Sequence, residues 1–290
     1  MLDVRDPSLQ HVASHHSNKY YKAETDGGVR KFGVSDYIRL IRTIQPEIAV
    51  ALADDLNTGD ISEAWSKKSV TRSLKWLDEC LVGYQSSSAI FGVLKGGPVL
   101  DQRQLSAELT AQRDVAGFVL NDLQFAGDAT ARRQWLQTSL APLPSAKPRL
   151  AYALGTPLDV LEGVRQGIDL FDTLYPMDLV EKGHAMVFSF EKGAPAPATP
   201  QSLIIDISQP EFRTDRRPLD EQCPCQACIG HSRAYLHHLW HTSEMLVKVL
   251  LMVHNLHAYA AFFAQIRHSL RQGTFSAQAD VFAQRYAHPR

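Results

Sequence analysis

Three cysteines within six residues constrain this chain more than any other feature: Cys223-Pro-Cys225-Gln-Ala-Cys228. Thiols this close do not pair readily among themselves, because a disulfide needs Cα atoms about 4.4–6.8 Å apart with suitable Cβ directions. They can converge on one tetrahedral cation. Zinc takes thiolates at about 2.3 Å and imidazole nitrogen at about 2.0–2.1 Å, and closed Cys3His sites are structural. Spacing alone leaves the histidine open among His231, His237, His238, His241, His254 and His257. Residues 231–253 read as one long helix, which puts His254 at or near its far end. The thiol loop then has to fold back along that helix. Three free cysteines on a surface loop explain the clustering less well than a metal does.

The rest of the composition agrees. Only four cysteines are present, and Cys80 stands alone in a helical stretch, as a buried core residue does. That usage fits a reducing compartment with a metal and not a disulfide framework. The net charge of −1 over 290 residues argues against a generic nucleic-acid coat, so any RNA contact needs a local patch. The first twenty residues show no signal-peptide core. The longest greasy run, Met245–Val253, is interrupted by Lys248 and falls short of the roughly 20 residues of a membrane span. A soluble protein is expected, with peripheral membrane attachment through a partner as the remaining option.

Residues 1–34 are polar and read as loops with a short hairpin. Residues 35–45 read as an amphipathic helix capped by Ser35. From there apolar strands of five or six residues alternate with helices: strands at 48–53, 89–94, 116–120, 149–154 and 169–174, helices at 66–83, 101–113, 128–141 and 157–166. That rhythm predicts parallel strands with helical crossovers, and the continuous apolar runs predict cover on both faces. Residues 193–202 form the clearest linker, and 203–207 a further short strand. The expected division is therefore 1–192 for the barrel portion and 193–290 for the zinc-binding subdomain and the C-terminal helices that close the barrel.

In a βα barrel, reactive side chains sit at the carboxyl ends of strands. Three such ends carry notable groups: Asp54-Asp55, Lys95-Gly96-Gly97, and Asp172 with Tyr175. A carboxylate there serves as nucleophile or base, or equally caps a helix or pairs with a cation. Lys68, Arg72 and Lys75 form a stripe on the 66–83 helix, read as a solvated face.

Three pieces of the chain resemble the tRNA-guanine transglycosylases. They are Cys223-x-Cys225-x-x-Cys228 with His254 and the intervening Ser232-Arg-Ala-Tyr-Leu-His-His-Leu, then Gly155-Thr-Pro-Leu-Asp-Val-Leu, and Gly167-Ile-Asp-Leu-Phe-Asp172. The resemblance runs from about Tyr21 to Arg285. It implies a TIM-type (β/α)8 barrel with an inserted or appended zinc-binding subdomain, and exchange of guanine for queuine or a precursor at the tRNA wobble position. It implies that Cys223, Cys225, Cys228 and His254 hold one structural Zn2+, that Asp172 matches the nucleophile, and that Asp54 falls where an aspartate grips the base. The segment that would carry the general acid-base aspartate lies before residue 1. Against the ~250 residues of a full barrel, roughly two βα units are missing, so an N-terminally truncated barrel is expected.

The departures matter more. Where the catalytic members read Pro-Thr-Arg-x-x-Arg-x-Gly, this chain reads Pro176-Met177-Asp178-Leu179-Val180-Glu181-Lys182-Gly183. Two cations that face the anticodon backbone become two anions, a reversal that weakens phosphate binding. Gly92-Val-Leu-Lys95-Gly96-Gly97 and Asn121-Asp-Leu-Gln-Phe-Ala-Gly127 replace the two loops that read the base. The pattern is most similar to the accessory, non-catalytic branch of the eukaryotic queuine tRNA-ribosyltransferases.

That branch implies a heterodimer with a catalytic subunit, tRNA contacted through the complex, and a cytoplasmic location with the mitochondrial outer membrane as a peripheral one. Tyr235, Trp240, Met245, Leu251 and Tyr259 are candidate contacts, each equally readable as intrachain core, and a homodimer is the alternative pairing. The competing expectations are an active transglycosylase using Asp172 and an incompletely folded product of a longer gene.

Overall fold

The structure, a computed structural model, describes residues 1–4, 17, 19–25, 27–54, 61–84, 88–190 and 202–286, with no side-chain description at 24 and 25. Asp55 and nearly all of the expected linker, 193–201, lie outside the described residues. The chain divides into two compact units, Met1–Thr173 and Leu174–Arg290.

The first unit opens with an antiparallel hairpin, β1 (Tyr21–Thr25) and β2 (Gly28–Phe32). Helix α1 (Val34–Ile44) follows. Its N-cap is Gly33 and not Ser35, because the Asp36 carboxylate accepts the Gly33 N–H at 3.1 Å and so closes the first turn two residues earlier. Strands and helices then alternate: β3 (Ile48–Val50), α2 (Glu63–Gly83), β4 (Ala89–Leu94), α3 (Leu100–Ala111), β5 (Gly117–Leu120), α4 (Ala129–Leu140), β6 (Arg149–Tyr152), α5 (Pro157–Arg165) and β7 (Leu170–Asp172). Three side-chain caps mark the helix starts, with Ser62, Asp128 and Thr156 each accepting a first-turn N–H.

The five strands pair in parallel and in strict chain order, β3-β4-β5-β6-β7. Leu2 adds a parallel bridge on the free side of β3. Side chains alternate between two cores. Ile90, Leu94, Phe118, Leu120 and Ala151 pack with helix residues such as Leu77, Trp135 and Leu136. Val50, Phe91, Val93, Val119, Leu150 and Tyr152 pack among strands alone. An inner layer with no helix residue in it is the packing of a barrel interior, and this curled sheet is a half-barrel of five strands. The sequence rhythm therefore gives α/β parallel architecture correctly, while the eight-stranded closure expected from the resemblance is not seen among the described residues.

The second unit begins with α6 (Tyr175–Glu181) and β8 (His184–Met186), which pairs antiparallel with β9 (Ile204–Asp206). Both elements that precede the expected boundary at 193 pack against the long helix of this unit. Then come α7 (Gln226–Gly230), α8 (Arg233–His241), α9 (Met245–Arg271) and α10 (Phe275–Tyr286). The single helix expected over 231–253 is two. Ser243 adopts a left-handed conformation (φ 57°), and the Glu244 N–H folds back to the Leu239 carbonyl at 2.9 Å. That turn ends α8, so His254 falls well inside α9 rather than at a helix terminus. Helix α9 is the one described helix long and apolar enough to cross a membrane, with mean hydropathy 1.4 over its most apolar stretch. The apolar pattern thus continues well past Val253. Its buried side carries Leu251, His254, Asn255, Tyr259 and Phe262, the polar members of which have partners inside this unit.

Candidate metal centre

The thiol loop is built around short-range geometry. Cys225 caps α7, and its carbonyl accepts the Ile229 N–H at 3.0 Å, which swings Cys228 back toward Cys225. Arg233 fixes the loop's base: Nε donates to the Pro218 carbonyl and Nη2 to the Leu219 carbonyl, each at 2.8 Å, and Nη1 lies 3.2 Å from Asp215. The hydrogen bonds of Arg217 hold Asp215 well below the usual carboxylate range, so this knot of charges stays ionised. Cys225 and Cys228 are buried with Leu219, Ala227, Leu236 and Leu251 in one apolar cluster.

The structure brings Cys223, Cys225, Cys228 and His254 together, with all four donor atoms within 4.8 Å of one another. Bond lengths for zinc in a tetrahedron set S···N edges of about 3.6 Å. His254 Nδ1 lies 3.6 Å from Cys223 Sγ, 3.6 Å from Cys225 Sγ and 3.3 Å from Cys228 Sγ. The donor set and its edges therefore fit a zinc-sized cation. On the far side of the ring, His254 Nε2 is 2.8 Å from the Met186 carbonyl. A carbonyl only accepts, so Nε2 carries the proton and Nδ1 keeps its lone pair toward the thiols. Burial pushes the Cys228 thiol up to about 12 and Cys223 upward as well, while it lowers His254. Two buried thiolates and a half-buried third need a cation beside them.

The other histidines left open by spacing are accounted for. His237 Nδ1 meets the Ile207 carbonyl at 2.8 Å and His241 Nε2 the Ser208 carbonyl at 3.1 Å. His231 stacks on Tyr235, and His238 and His257 are exposed.

The strand ends of the first unit hold a different chemistry. Asp54 is 2% exposed, and its carboxylate lies 2.7 Å from Arg72 Nη1. Arg72 is therefore turned inward and not part of a solvated stripe. Its helix approaches through small residues: Ser73 Oγ accepts the Asp54 N–H at 2.9 Å and the Ser69 hydroxyl donates to the Asp54 carbonyl at 2.8 Å. Lys95 is fully buried, and its Nζ lies 2.7 Å from Asp122 Oδ1. Gly96, at φ 142°, lets the chain pass against Arg103, whose backbone nitrogen would sit 2.6 Å from any added Cβ. Arg103 in turn donates to the Gly97 carbonyl and lies over Trp135, and burial brings it down to about 10. Sequence reasoning singled out Lys95 but missed Asp122 and Arg103 as its neighbours. A lysine directly after an apolar strand run was the available signal.

Asp172 ends β7, half-buried, and its carbonyl accepts the Ala153 N–H at 3.1 Å. In the second unit Tyr175 packs its ring against Tyr259, 6.2 Å between centroids. Asp178 and Glu181 are exposed on α6, with Glu181 2.6 Å from Lys248 on α9. Of the candidate contacts, Leu251 and Tyr259 are core, Trp240 packs over Gly183, and Met245 and Tyr235 are exposed.

The family described as "Queuine tRNA-ribosyltransferase" matches residues 5–288. Proteins named queuine tRNA-ribosyltransferase accessory subunit 2 are similar over most of their length. That of Gallus gallus is 33% identical over 92% of this chain and 72% of its own, and that of Xenopus tropicalis 33% over 96% and 76%. The Homo sapiens protein of that name is 34% identical over 92% and 73%. This chain belongs to the queuine tRNA-ribosyltransferase family.

Proposed function

We propose that this chain is the non-catalytic subunit of a heterodimeric queuine tRNA-ribosyltransferase, supporting exchange of guanine for queuine at the wobble position of tRNA without performing it. The observation that carries this reading is the state of the strand ends. At the carboxyl ends of β3, β4 and β5, where an exchanging enzyme must offer polar groups to a base, Asp54 is engaged by Arg72 and Lys95 by Asp122. A base competing for these groups would have to break buried ion pairs, at a cost of about 3–5 kcal/mol each when one partner is left uncompensated. The acidic Asp178 and Glu181, where exchanging members carry arginines, add like charge against a polyanion. The names of the relatives point the same way. An enzyme acting alone through Asp172 has the matched positions of Asp172 and Asp54 in its favour, and Asp54 is engaged by Arg72.

On this reading, Cys223, Cys225, Cys228 and His254 hold one Zn2+, which serves as a structural crosslink between the thiol loop and α9. The half-barrel corresponds to five strands of a TIM-type (β/α)8 arrangement, and the protein is cytoplasmic. The partner is a catalytic homologue. Its seat is the exposed apolar face of α9, where Met245, Leu246, Val249, Val253 and Leu256 recur at helical spacing.

The test is a guanine-exchange assay on tRNA. The purified chain alone should give no exchange. Addition of the catalytic homologue should give exchange above that homologue's own rate, and a Val249→Asp chain should fail to give the increase. Exchange by the chain alone overturns the reading.

A further inference from the structure

Asn255 follows His254 on α9, is equally buried, and belongs to none of the motifs above. Its amide meets β8 twice: Oδ1 accepts the Met186 N–H at 2.9 Å, and Nδ2 donates to the His184 carbonyl at 3.0 Å. The two partners fix which way the amide points, since an N–H needs the oxygen and a carbonyl needs the nitrogen. His254 Nε2 takes the Met186 carbonyl beside it. On one edge of β8, therefore, the His184 carbonyl, the Met186 N–H and the Met186 carbonyl are all met by two adjacent side chains of α9. The other edge pairs with β9. Asn255 does for β8 what a neighbouring strand's peptide would do.

We propose that Asn255 is a positioning residue of the metal centre, holding β8 at the place where the Met186 carbonyl aims His254 Nδ1 at the three thiols. The proposal rests on the zinc reading above. A strand of three residues has too few ladder bonds to keep its own position, and the ring of His254 is oriented by a single backbone carbonyl of that strand. With Asn255 truncated, a buried N–H and a buried carbonyl lose their partners, the strand shifts, and the carbonyl no longer sets the ring. Outer-shell partners of this kind are worth about 10–100-fold in metal affinity.

The test is zinc affinity of the full chain, measured by competition with a chromogenic chelator and paired with the absorption spectrum of the cobalt(II)-loaded protein. N255A should bind zinc about 10–100-fold more weakly and show an altered cobalt spectrum. N255D keeps the acceptor toward Met186 but loses the donor toward His184, and should also weaken binding. F262L, a core change two turns further along α9 and outside the cysteine cluster, should lower the melting temperature without moving affinity or spectrum. Wild-type affinity and spectrum in N255A overturn the proposal and leave the zinc reading standing. If N255A is too unstable to assay, N255D decides in the same way. A wild-type chain that binds no zinc overturns both.

Discussion

Replacing Cys225 with serine should release the metal and lower the melting temperature of the second unit by about 10 °C or more, on a scale of roughly 4 °C per kcal/mol for a unit of this size. A serine hydroxyl stays protonated at neutral pH and is a poor ligand for zinc, so the site falls to three donors. Arg233 ties the base of the loop through the Pro218 and Leu219 carbonyls, but beyond Leu219 the loop's apolar contribution to the core is Cys225, Ala227 and Cys228 themselves. Structural zinc supplies apparent binding energies of about 10–16 kcal/mol in small zinc-dependent folds, and even a fraction of that exceeds the contribution of any single side chain here. Zinc content by elemental analysis and a thermal melt on one sample measure it. A chelator should reproduce the effect in the wild-type chain and add nothing in the variant. Cys80→Ser should leave zinc content unchanged, because that thiol sits alone in α2 and burial pushes it up to about 12. Full zinc stoichiometry with an unchanged melt in Cys225→Ser would refute the ligand assignment.

Lys95→Met should destabilise the first unit by about 3–5 kcal/mol in urea unfolding, because it strands the Asp122 carboxylate in the core. The pair is 0% and 2% exposed, and the second carboxylate oxygen of Asp122 has no hydrogen bond among the described residues. Water therefore cannot readily take over from the ammonium group. Arg103 lies near enough to feel the carboxylate, but burial and Trp135 hold it in place, so it compensates only in part. The paired change Lys95→Met with Asp122→Leu should recover most of the loss, since an ion pair replaced by apolar groups is often neutral or stabilising. A loss under about 1 kcal/mol in the single variant would mean that this pair does not hold the loops after β4 and β5 together.

How far the sequence could be read depended on whether a signal was local. The thiols announced a shared site because their spacing left few other uses for them. The parallel order of β3 to β7 followed from apolar runs that alternate with helices. The break between α8 and α9 was not legible: neither glycine nor proline marks it, and Ser243 takes a left-handed conformation that sequence rarely signals. The pairing of β8 with β9 escaped for a related reason, since each strand is three residues long and the partners are far apart in the chain. Arg72 shows the limit of helical periodicity. It shares a face with lysines by count, yet it reaches a carboxylate that comes from another strand end. Asn255 had no signal at all, because its role is defined by a strand edge that only the fold creates.

The account turns on whether Asp172 ever attacks a ribose. The direct measurement is a denaturing gel, followed by peptide mass spectrometry, of this chain mixed with tRNA and a catalytic homologue, and quenched during exchange. The account predicts a covalent tRNA adduct on the homologue and none on this chain, with or without the homologue present. A tRNA ribose attached to Asp172 would contradict it.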